Sequence, residues 1–419
     1  MRFSRLDEWL AWLEAGSGSR IELGLERVAA VLQRLGWSQP GWPLITVAGT
    51  NGKGSSVAFL EAILEAAGYR VGTYTSPHLL RYNERIRVDA TPVADEVICE
   101  AFARVDSARE GIELTYFEFG TLAAIDHFAR LEPDVVILEV GLGGRLDACN
   151  VLDADVALVT RIGLDHQEWL GPDRNAIARE KAGIFRAGRP AVCGDPDPPA
   201  TLFEEAERLG ARLLVSGRDF RFRSTAPGWE WQSGLRRRTA LPVPGLLGRH
   251  QVANAAAVLM VLELLADRLP VGQSAIRTGL MAASLPGRFQ VVPGSPEVIL
   301  DVAHNPQAAA VVAELLRQRP CKGRTHAVLA MLADKAVAEF VTRFDGVVDL
   351  WHLAGLSVPR GLDVDSLERR FGQSGQVPAS RSAGVVEAFA RAREAAGPDD
   401  RILVCGSFHT VAEMARGDV

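Results

Sequence analysis

A glycine-rich loop containing one lysine lies between a predicted strand and a predicted helix. The segment reads TVAGTNGKGSS, and Lys53 stands in it between Gly52 and Gly54. Backbone N–H groups of such a turn at a helix N-terminus hold phosphate oxygens, and the helix dipole adds to the attraction. We therefore expect a nucleotide phosphate site here, with Lys53 against the β- and γ-phosphates.

The loop departs from the standard Walker sequence GxxxxGK[ST]. That sequence would need a glycine at Val47 and a hydroxyl residue at Gly54. The hydroxyl that binds magnesium must therefore come from elsewhere in the chain. The alternative is a tight glycine-rich turn without a ligand, but a lysine between two glycines has little structural reason to stand at a strand–helix junction.

Polar side chains follow three predicted strands at the points where these strands end. One strand ends at Ser76, the next ends at about Glu139, and His166 comes shortly after a third. In an open parallel sheet, ligands bind beyond the carboxyl ends of the strands. Magnesium prefers oxygen ligands, so Ser76 and Glu139 suit one ion beside the γ-phosphate, and Glu139 with His166 could hold a second.

Each of these three residues could also have a purely structural role instead of binding a metal ion. Ser76 precedes Pro77 and could be a turn residue, and His166 alone is equally compatible with a structural role. Glu139 is harder to explain in this way, because burying a carboxylate in the apolar run VVILEVGLGG is costly unless it is paired or binds a metal.

Lys181, in the segment REKAGIF on a predicted helix, is open to two interpretations. It is either a solvated or salt-bridged lysine, or a lysine that has added carbon dioxide. A lysine whose pKa is lowered by burial or by neighbouring cations can form such a carbamate. The carbamate would supply a further oxygen ligand near the metal ions.

Alternating predicted strands and helices, with strands that are apolar throughout, favour an α/β fold with a parallel sheet covered on both faces. We expect a P-loop-containing parallel-sheet ATPase domain over 1–285, a hinge at PGRF (286–289), and a smaller Rossmann-like α/β domain over 286–419. Residues 1–40 are expected to be helical, and 196–245 to form a small antiparallel excursion. Predicted strands cover 44–49, 70–76, 134–140, 155–162 and 401–407, and predicted helices cover 56–67, 95–109, 117–131, 251–266 and 307–317.

Composition excludes several classes of protein. The 419 residues are 47% hydrophobic and 23% charged, with a net charge of −6, which argues against a nucleic-acid coat or a basic membrane anchor. The five cysteines include no CxxC pair, so reduced thiols are expected rather than disulfides or a zinc site. The N-terminal segment carries carboxylates and does not resemble a secretory signal. We expect a soluble, cytoplasmic monomer that binds neither membrane nor nucleic acid.

Eight motifs, in this order, carry a family resemblance. They are AGTNGKGS, TSPHL, ILEVGLGGRLDACN, LDHQEWLG, REKAGIFR, PGRF, LDVAHNP and VCGSFHT. Together they resemble the folylpolyglutamate synthase branch of the Mur ligase family, from about residue 5 to 415. RIELGLERV and LTYFEFGTL (114–122) are more particularly similar to bacterial members of the branch that are bifunctional.

The resemblance implies an ATP-dependent amide ligase of folate biosynthesis and one-carbon metabolism. Magnesium-ATP, with two ions, would phosphorylate a carboxylate to an acyl phosphate. L-Glutamate would then attack to give an amide, ADP and phosphate. The acceptors would be 7,8-dihydropteroate, which gives dihydrofolate, and reduced folates such as tetrahydrofolates, which give folylpolyglutamates. Because water hydrolyses an acyl phosphate, closure of the two domains around the reacting groups is expected.

The resemblance also implies roles for individual residues. ATP would be bound by Thr50, Asn51, Gly52, Lys53, Gly54, Ser55, Asn254, Arg288 and Asp301. Magnesium would be bound by Ser76, Glu139 and His166, with Lys181 carbamoylated; the residues given a catalytic role are Lys53, Lys181 and His166. The incoming glutamate would meet His304 and Ser407. Dihydropteroate would be bound by Arg20, Ile21, Glu22, Leu23, Thr115, Tyr116, Phe117, Glu118, Leu146, Asp147 and Ala148. The domains would be a Mur ligase central-type domain and a glutamate-ligase domain.

The chemistry of these last segments suits a pterin. Glu118 or Asp147 could accept hydrogen bonds from an aminopyrimidine edge, and Tyr116 and Phe117 supply flat apolar surfaces. The alternative is a helix N-cap cluster with core aromatic residues. Cys149 departs from the threonine that is commoner in the family at this position, which is a small change that leaves the class unaffected.

Three other functions stay open. A monofunctional folylpolyglutamate synthase would act on tetrahydrofolates alone. A cell-wall ligase of the Mur type fits the TNGKGS and TSPH forms less well. A regulatory P-loop switch would hydrolyse ATP without an acceptor amine and would have no need of the DVAHNP and CGSFHT motifs.

Overall fold

The computed structural model describes residues 2–17, 21–234 and 236–416. Its described residues divide into two compact units. The first contains those up to Gly163, with those of Gln167–Gly245 and Arg249–Ser284. The second contains Leu164–His166, Leu246–Gly248 and the residues from Leu285 onward.

The first unit is built on an eight-stranded sheet. Its strands are β1 (Leu44–Ala48), β2 (Val71–Tyr74), β3 (Ile86–Val88), β4 (Thr91–Pro92), β5 (Val135–Glu139), β6 (Val156–Val159), β7 (Pro190–Cys193) and β8 (Arg212–Val215). The order is β4-β3-β2-β5-β1-β6-β7-β8. The strands from β2 to β8 in this order are parallel, and β3 and β4 continue the sheet antiparallel at one edge. Strands β1, β2, β5 and β6 are buried along their whole length, which explains why their sequences do not alternate.

Helices cover this sheet. They are α1 (Leu6–Ser17), α2 (Glu26–Arg34), α3 (Lys53–Ala66), α4 (Asp95–Arg109), α5 (Tyr116–Leu131), α6 (Gln167–Leu170), α7 (Arg174–Ala182), α8 (Ala200–Leu209), α9 (Arg249–Leu264) and α10 (Gln273–Ala282), with short 3-10 helices at Tyr82–Arg85 and Ala148–Val151. The apolar faces predicted for the N-terminal helices pack into one core, where Trp9 lies 5.8 Å from Phe102 and Phe102 lies 5.3 Å from Phe119 between ring centroids.

The segment 196–245 differs in part from the prediction. Strands β9 (Phe220–Thr225), β10 (Gly228–Ser233) and β11 (Arg236–Leu241) form the expected antiparallel sheet. However, α8 and β8 precede them, and β8 extends the parallel sheet beside β7. The antiparallel excursion therefore begins later than predicted, because Leu202 and Ala206 give α8 an apolar face that packs in the core of the first unit.

The second unit contains a six-stranded sheet. Its strands are β12 (Gln290–Val292), β13 (Glu297–Leu300), β14 (Thr325–Leu329), β15 (Leu350–Ala354), β16 (Ser380–Ser382) and β17 (Arg401–Cys405), in the order β12-β13-β17-β14-β15-β16. All neighbouring strands are parallel except β12 and β13. Its helices are α11 (Pro306–Gln318), α12 (Val337–Thr342), α13 (Val364–Gly372), α14 (Val385–Ala395) and α15 (Phe408–Arg416). The predicted α/β class, with a larger and a smaller unit, is confirmed. Within the described ranges, no helix is both long and apolar enough to cross a membrane.

Candidate functional site

The glycine-rich loop between β1 and α3 is held in place by the residues that follow β6. The Thr50 N–H donates to the Arg161 carbonyl at 2.7 Å. The Thr50 hydroxyl donates to the Gly163 carbonyl and accepts from the Gly163 N–H, both at 3.0 Å. The Thr160 hydroxyl donates to the Asn51 carbonyl at 2.8 Å. The loop is therefore braced before any ligand binds, as a preorganised phosphate site requires.

Gly49 is required by a close approach of the backbone. Its φ is +149°, and a Cβ atom at this position would lie 1.8 Å from the Thr160 hydroxyl oxygen. No side chain fits there unless Thr160 moves, and Thr160 is one of the residues that brace the loop.

Gly49→Ala should therefore weaken ADP binding by about tenfold or more, because the loop must shift to relieve the overlap. The measurement is calorimetric titration of each purified protein with magnesium-ADP. Gly68→Ala is the matched control, since Gly68 also has a positive φ of +89° but nothing lies within 4 Å of its missing Cβ. Equal effects of the two substitutions would contradict this account of Gly49.

Lys53 is the first residue of α3, so the helix begins three residues before the predicted start at 56. Its ammonium group donates to the Gly49 carbonyl at 3.1 Å and reaches the Thr50 carbonyl at 3.5 Å. The positive charge of Lys53 thus lies over the loop at the N-terminus of α3. This charge and the dipole of the helix both favour the binding of an anion. Gly54 and Ser55 occupy the first turn of the same helix.

Asn254 on α9 lies against this loop. A Cβ atom on Gly52, which has a φ of +96°, would lie 2.8 Å from the Asn254 side-chain oxygen. The Asn254 amide donates to the Gln251 oxygen at 3.0 Å, and the Gln251 amide donates to the Ser55 hydroxyl at 3.2 Å. The structure thus brings Asn254 to the phosphate loop from a position two hundred residues further along the chain.

Ser76 and Glu139 follow or end neighbouring strands. Tyr74 pairs with Leu138 across β2 and β5, so Ser76 and Glu139 both lie at the carboxyl edge of the sheet, and Val47 of β1 pairs with Glu139 beside them. Glu139 is 5% exposed. A buried carboxylate and a hydroxyl are oxygen donors of the kind that magnesium takes together with phosphates and water, so these residues fit the ion. Within the described residues, no three His, Cys, Asp or Glu side chains form a metal-binding cluster on their own.

Lys181 lies on α7 and is buried, with 3% exposure. The glycine turn that follows Glu139 packs against this helix, and a Cβ on Gly144 would lie 3.1 Å from the Lys181 Cα. The fold thus brings Lys181 to the turn that leaves β5, although the two are distant in sequence.

His166 is half-buried and has a strained backbone, with a φ of +51°. Its Nδ1 atom has no hydrogen-bond partner in the described part of the chain. Burial lowers the pKa of His166 to about 4, so its imidazole is neutral at pH 7. A neutral ring nitrogen left without a partner fits a metal ligand.

Asp165 forms the centre of a charged cluster in the second unit that sequence reasoning missed. One oxygen accepts from the Lys335 ammonium at 2.6 Å, and the other lies 3.4 Å from His304 Nε2 and 3.2 Å from the Asn305 amide. Burial would raise the pKa of Asp165, but His304, His166 and Lys335 hold it well below its usual range. The available signal was Lys335, which stands four residues after the apolar segment THAVLAM, because a lysine that is buried needs a counter-charge.

Asp301 connects two of the predicted motifs in the second unit. Its carboxylate accepts from the Phe289 N–H at 2.7 Å and from the Ala303 N–H at 2.8 Å. Burial raises the pKa of Asp301, and the Arg288 guanidinium opposes the shift. The Arg288 Cζ atom lies 4.9 Å from the centre of the Phe408 ring. Asp301 thus fixes the segment that carries Arg288.

The two predicted glutamate contacts also lie near this aromatic ring. His304 is 6.1 Å from Phe408 between ring centroids, and its Nδ1 atom lies 2.9 Å from the Val302 carbonyl. The Ser407 hydroxyl is 2.6 Å from the Thr410 hydroxyl and accepts from the Thr410 N–H at 3.0 Å. Ser407 therefore has a structural role at the start of α15.

The three segments predicted to bind dihydropteroate converge. The Gly24 N–H donates to the Leu146 carbonyl at 3.2 Å, which connects the first segment to the third. The Arg27 guanidinium donates to Glu22 at 2.5 Å and to Glu118 at 2.7 Å, which connects the first segment to the second. Arg20 lies outside the described residues.

Both candidate carboxylates in these segments already have structural partners. Glu118 accepts from the Thr115 N–H at 2.7 Å, while the Glu118 N–H donates to the Thr115 hydroxyl at 3.2 Å, so the pair caps α5. Asp147 accepts from three backbone N–H groups at 2.9–3.0 Å, those of Gly141, Leu142 and Cys149. Burial raises the pKa of Asp147 to about 6. Thr115 and Glu118 thus form the helix cap of the alternative interpretation, and their contact with a pterin stays a prediction.

The two aromatic residues of the second segment differ in surroundings. Phe117 packs against the glycine turn, where a Cβ atom on Gly141 would lie 2.7 Å from its ring. Tyr116 lies 5.8 Å from Tyr82 between ring centroids. Both aromatic rings therefore pack against neighbouring parts of the first unit.

Two family models match the chain. The Mur ligase middle domain matches residues 47–262, and the Mur ligase glutamate ligase domain matches residues 287–408. Dihydrofolate synthase/folylpolyglutamate synthase of Escherichia coli (strain K12) is 46% identical over 98% of this chain and 95% of its own length.

Solved structures show the same likeness. FolC of E. coli in complex with DHPP and ADP has a TM-score of 0.92 at 46% identity and covers 99% of this chain and 97% of its own. A bifunctional folylpolyglutamate synthase/dihydrofolate synthase with Mn, AMPPNP and L-glutamate bound has a TM-score of 0.91 at 47% identity, with coverage of 99% and 98%.

Proposed function

The chain belongs to the Mur ligase family, in its dihydrofolate synthase/folylpolyglutamate synthase branch, and we propose that it joins L-glutamate to two kinds of acceptor. One is 7,8-dihydropteroate, which gives dihydrofolate, and the other is tetrahydrofolate, which gives folylpolyglutamates. The observation that carries this proposal is the phosphate loop around Lys53, in one unit with the three convergent segments that suit a pterin.

The reaction passes through an acyl phosphate. A carboxylate oxygen of the pteroyl substrate attacks the γ-phosphorus of ATP, and ADP leaves. The free amine of L-glutamate then attacks the carbonyl carbon, and the tetrahedral intermediate collapses to the amide and inorganic phosphate. Lys53 and the N–H groups at the start of α3 hold the phosphates while charge shifts toward ADP.

The bound metal is proposed to be magnesium, with two ions held by Ser76, Glu139 and His166. When bound, magnesium supplies positive charge that offsets the charge of the phosphate oxygens. A carbamoylated Lys181 would add oxygen ligands. Asn254, Arg288 and Asp301 are proposed to contact ATP. His304 and Ser407 are proposed to meet the incoming glutamate.

Residues 1–285 are proposed to act as the ATP-binding domain and 286–419 as the glutamate-ligase domain. We also propose a monomer in the cytoplasm. All five cysteines are free thiols, as is usual in a reducing compartment.

The deciding experiment compares phosphate release with ATP alone against release with ATP, L-glutamate and one acceptor. The acceptors are dihydropteroate, tetrahydrofolate, 10-formyl-tetrahydrofolate and a muramyl precursor. We expect release to require both glutamate and a pteroyl acceptor, and dihydropteroate to be ligated. Ligation of tetrahydrofolate alone would favour the monofunctional enzyme, and ATP hydrolysis without acceptor would favour a switch.

Asp147→Ala should reduce dihydropteroate ligation more than tetrahydrofolate elongation, by about tenfold in the ratio of kcat/KM values. Asp147 fixes the Leu146–Ala148 segment through backbone N–H groups, and leaving such groups without an acceptor is costly. Each attached glutamate lengthens the substrate while its reacting carboxylate stays at one point. One rigid pterin pocket therefore cannot serve both acceptors, and this segment is proposed to serve dihydropteroate.

The matched control is Asp153→Ala, because the Asp153 carboxylate is 55% exposed and lies a few residues further along the chain. Equal losses for both acceptors in Asp147→Ala would indicate a shared pterin site or a purely structural residue, and would refute the two-pocket hypothesis.

A further inference from the structure

Arg85 is a buried cation set between two aromatic rings. It ends the short helix Tyr82–Arg85 and is 8% exposed. Its Cζ atom lies 5.3 Å from the centre of the Tyr82 ring and 5.4 Å from that of Tyr116. Its Nε–H donates to His78 Nδ1 at 2.9 Å. The rings and the imidazole fix the position of the guanidinium but supply no negative charge.

No carboxylate of the described residues lies within 4 Å of the Arg85 guanidinium. Its neighbour Arg87 makes two hydrogen bonds to Glu61, at 2.9 and 3.1 Å. The adjacent Glu84 carboxylate accepts instead from backbone N–H groups of the loop that precedes it, those of Leu79, Leu80 and Arg81.

The phenols around Arg85 do not supply the missing charge either. Burial raises the pKa of Tyr74, Tyr82 and Tyr116, so all three are neutral at pH 7. A buried charge without a partner is costly. An anionic ligand would remove this cost, and the planar fork of arginine matches a carboxylate.

The position of Arg85 indicates which anion this is. Its carbonyl accepts from the Thr75 N–H at 2.9 Å, and the next residue is Ser76, the proposed metal ligand. On its other side is Tyr116, which belongs to one of the three segments proposed to bind the pteroyl substrate. Arg85 thus lies between the edge of the sheet that carries Ser76 and the ring of Tyr116 in the proposed acceptor site.

We propose that Arg85 binds a carboxylate of the pteroyl acceptor, an assignment that rests on the proposed function. Two carboxylates have this chemistry. The reacting carboxylate is present in both acceptors, whereas the non-reacting α-carboxylate is present only in acceptors that already carry a glutamate.

The test compares Arg85→Met, Arg85→Lys and the unaltered protein. Arg81→Met is the matched control, because Arg81 lies in the same loop and its side chain is 73% exposed. Arg85→Met should raise KM for a pteroyl acceptor by about tenfold to a hundredfold, with KM for ATP and glutamate unchanged. The KM of Arg85→Lys for the acceptor should lie between the values for Arg85→Met and for the unaltered protein. A higher KM for both acceptors would mean that Arg85 binds the reacting carboxylate. A higher KM for tetrahydrofolate alone would mean that Arg85 binds the α-carboxylate.

A second measurement separates binding from a structural role. Calorimetric titration with dihydropteroate and with tetrahydrofolate is compared with titration of analogues in which every carboxylate is a carboxamide. Arg85→Met should weaken binding of at least one carboxylate ligand and leave the carboxamides unaffected. Equal loss for each acid and its carboxamide, or no loss for any ligand, would overturn the assignment. If Arg85→Met does not fold, Arg85→Lys takes its place. Failure of the unaltered protein to ligate either acceptor would overturn the proposed function itself.

Discussion

Lys53→Ala is expected to abolish ATP-dependent ligation while the fold is retained. The Lys53 ammonium bonds only to the loop carbonyls of Gly49 and Thr50 among the described residues, so its removal leaves no buried carboxylate without a partner. A charge-assisted contact to a phosphate in the transition state is worth at least ~2 kcal/mol, which corresponds to a loss of about thirtyfold or more in kcat/KM.

The measurement is the rate of ADP formation with ATP, L-glutamate and an acceptor. Lys322→Ala, at an exposed lysine of the second unit, is the control for removal of one positive charge. Thermal unfolding of each variant checks that the fold survives. Activity of Lys53→Ala near that of the unaltered protein would refute the assignment of the phosphate loop.

Lys181→Ala is expected to be almost inactive, and acetate or formate should restore part of the activity. Lys181 is 3% exposed and lies on the helix against which the turn after Glu139 packs. If its amine carries a carbamate, alanine removes a metal ligand and leaves space that a small carboxylate can enter. The measurement is the initial rate against the concentration of added carboxylate.

Arg179→Ala is the neighbouring control, since the Arg179 side chain is 57% exposed on the same helix. Intact mass of the unaltered protein in bicarbonate, under conditions that preserve a labile carbamate, tests the modification directly. An unmodified amine there would mean that Lys181 instead contacts a phosphate.

Much of the fold follows from local pattern. The predicted helix at 95–109 coincides with α4, and the strand predicted at 134–140 differs from β5 by one residue at each end. The helical segment has a clear period of apolar residues, and the strand segment is a continuous apolar run. Each pattern is typical of one kind of secondary structure. The start of α3 was predicted too late, because glycines at the N-terminus of a helix resemble a continuing loop.

Some features of the candidate site could also be predicted from the sequence, and others could not. The phosphate loop and the buried Glu139 depend on residue type and short spacing, so the residues themselves indicated a nucleotide phosphate site with a metal ion. Ligation followed only from the family resemblance of the eight motifs. The sequence could not show that Glu118 caps α5 and pairs with Arg27, because these contacts depend on which groups surround the carboxylate in the folded chain.

Tertiary structure decided the pairings that span long stretches of chain. The Lys335–Asp165 ion pair joins residues separated by 170 positions, and Asn254 reaches Gly52 from a distant helix. Arg85 looks like an ordinary surface arginine in the sequence. Only the folded chain encloses it between Tyr82 and Tyr116, where no carboxylate of the described residues forms an ion pair with it. Local sequence determines which elements form, whereas burial and charge compensation depend on groups that meet only when those elements pack.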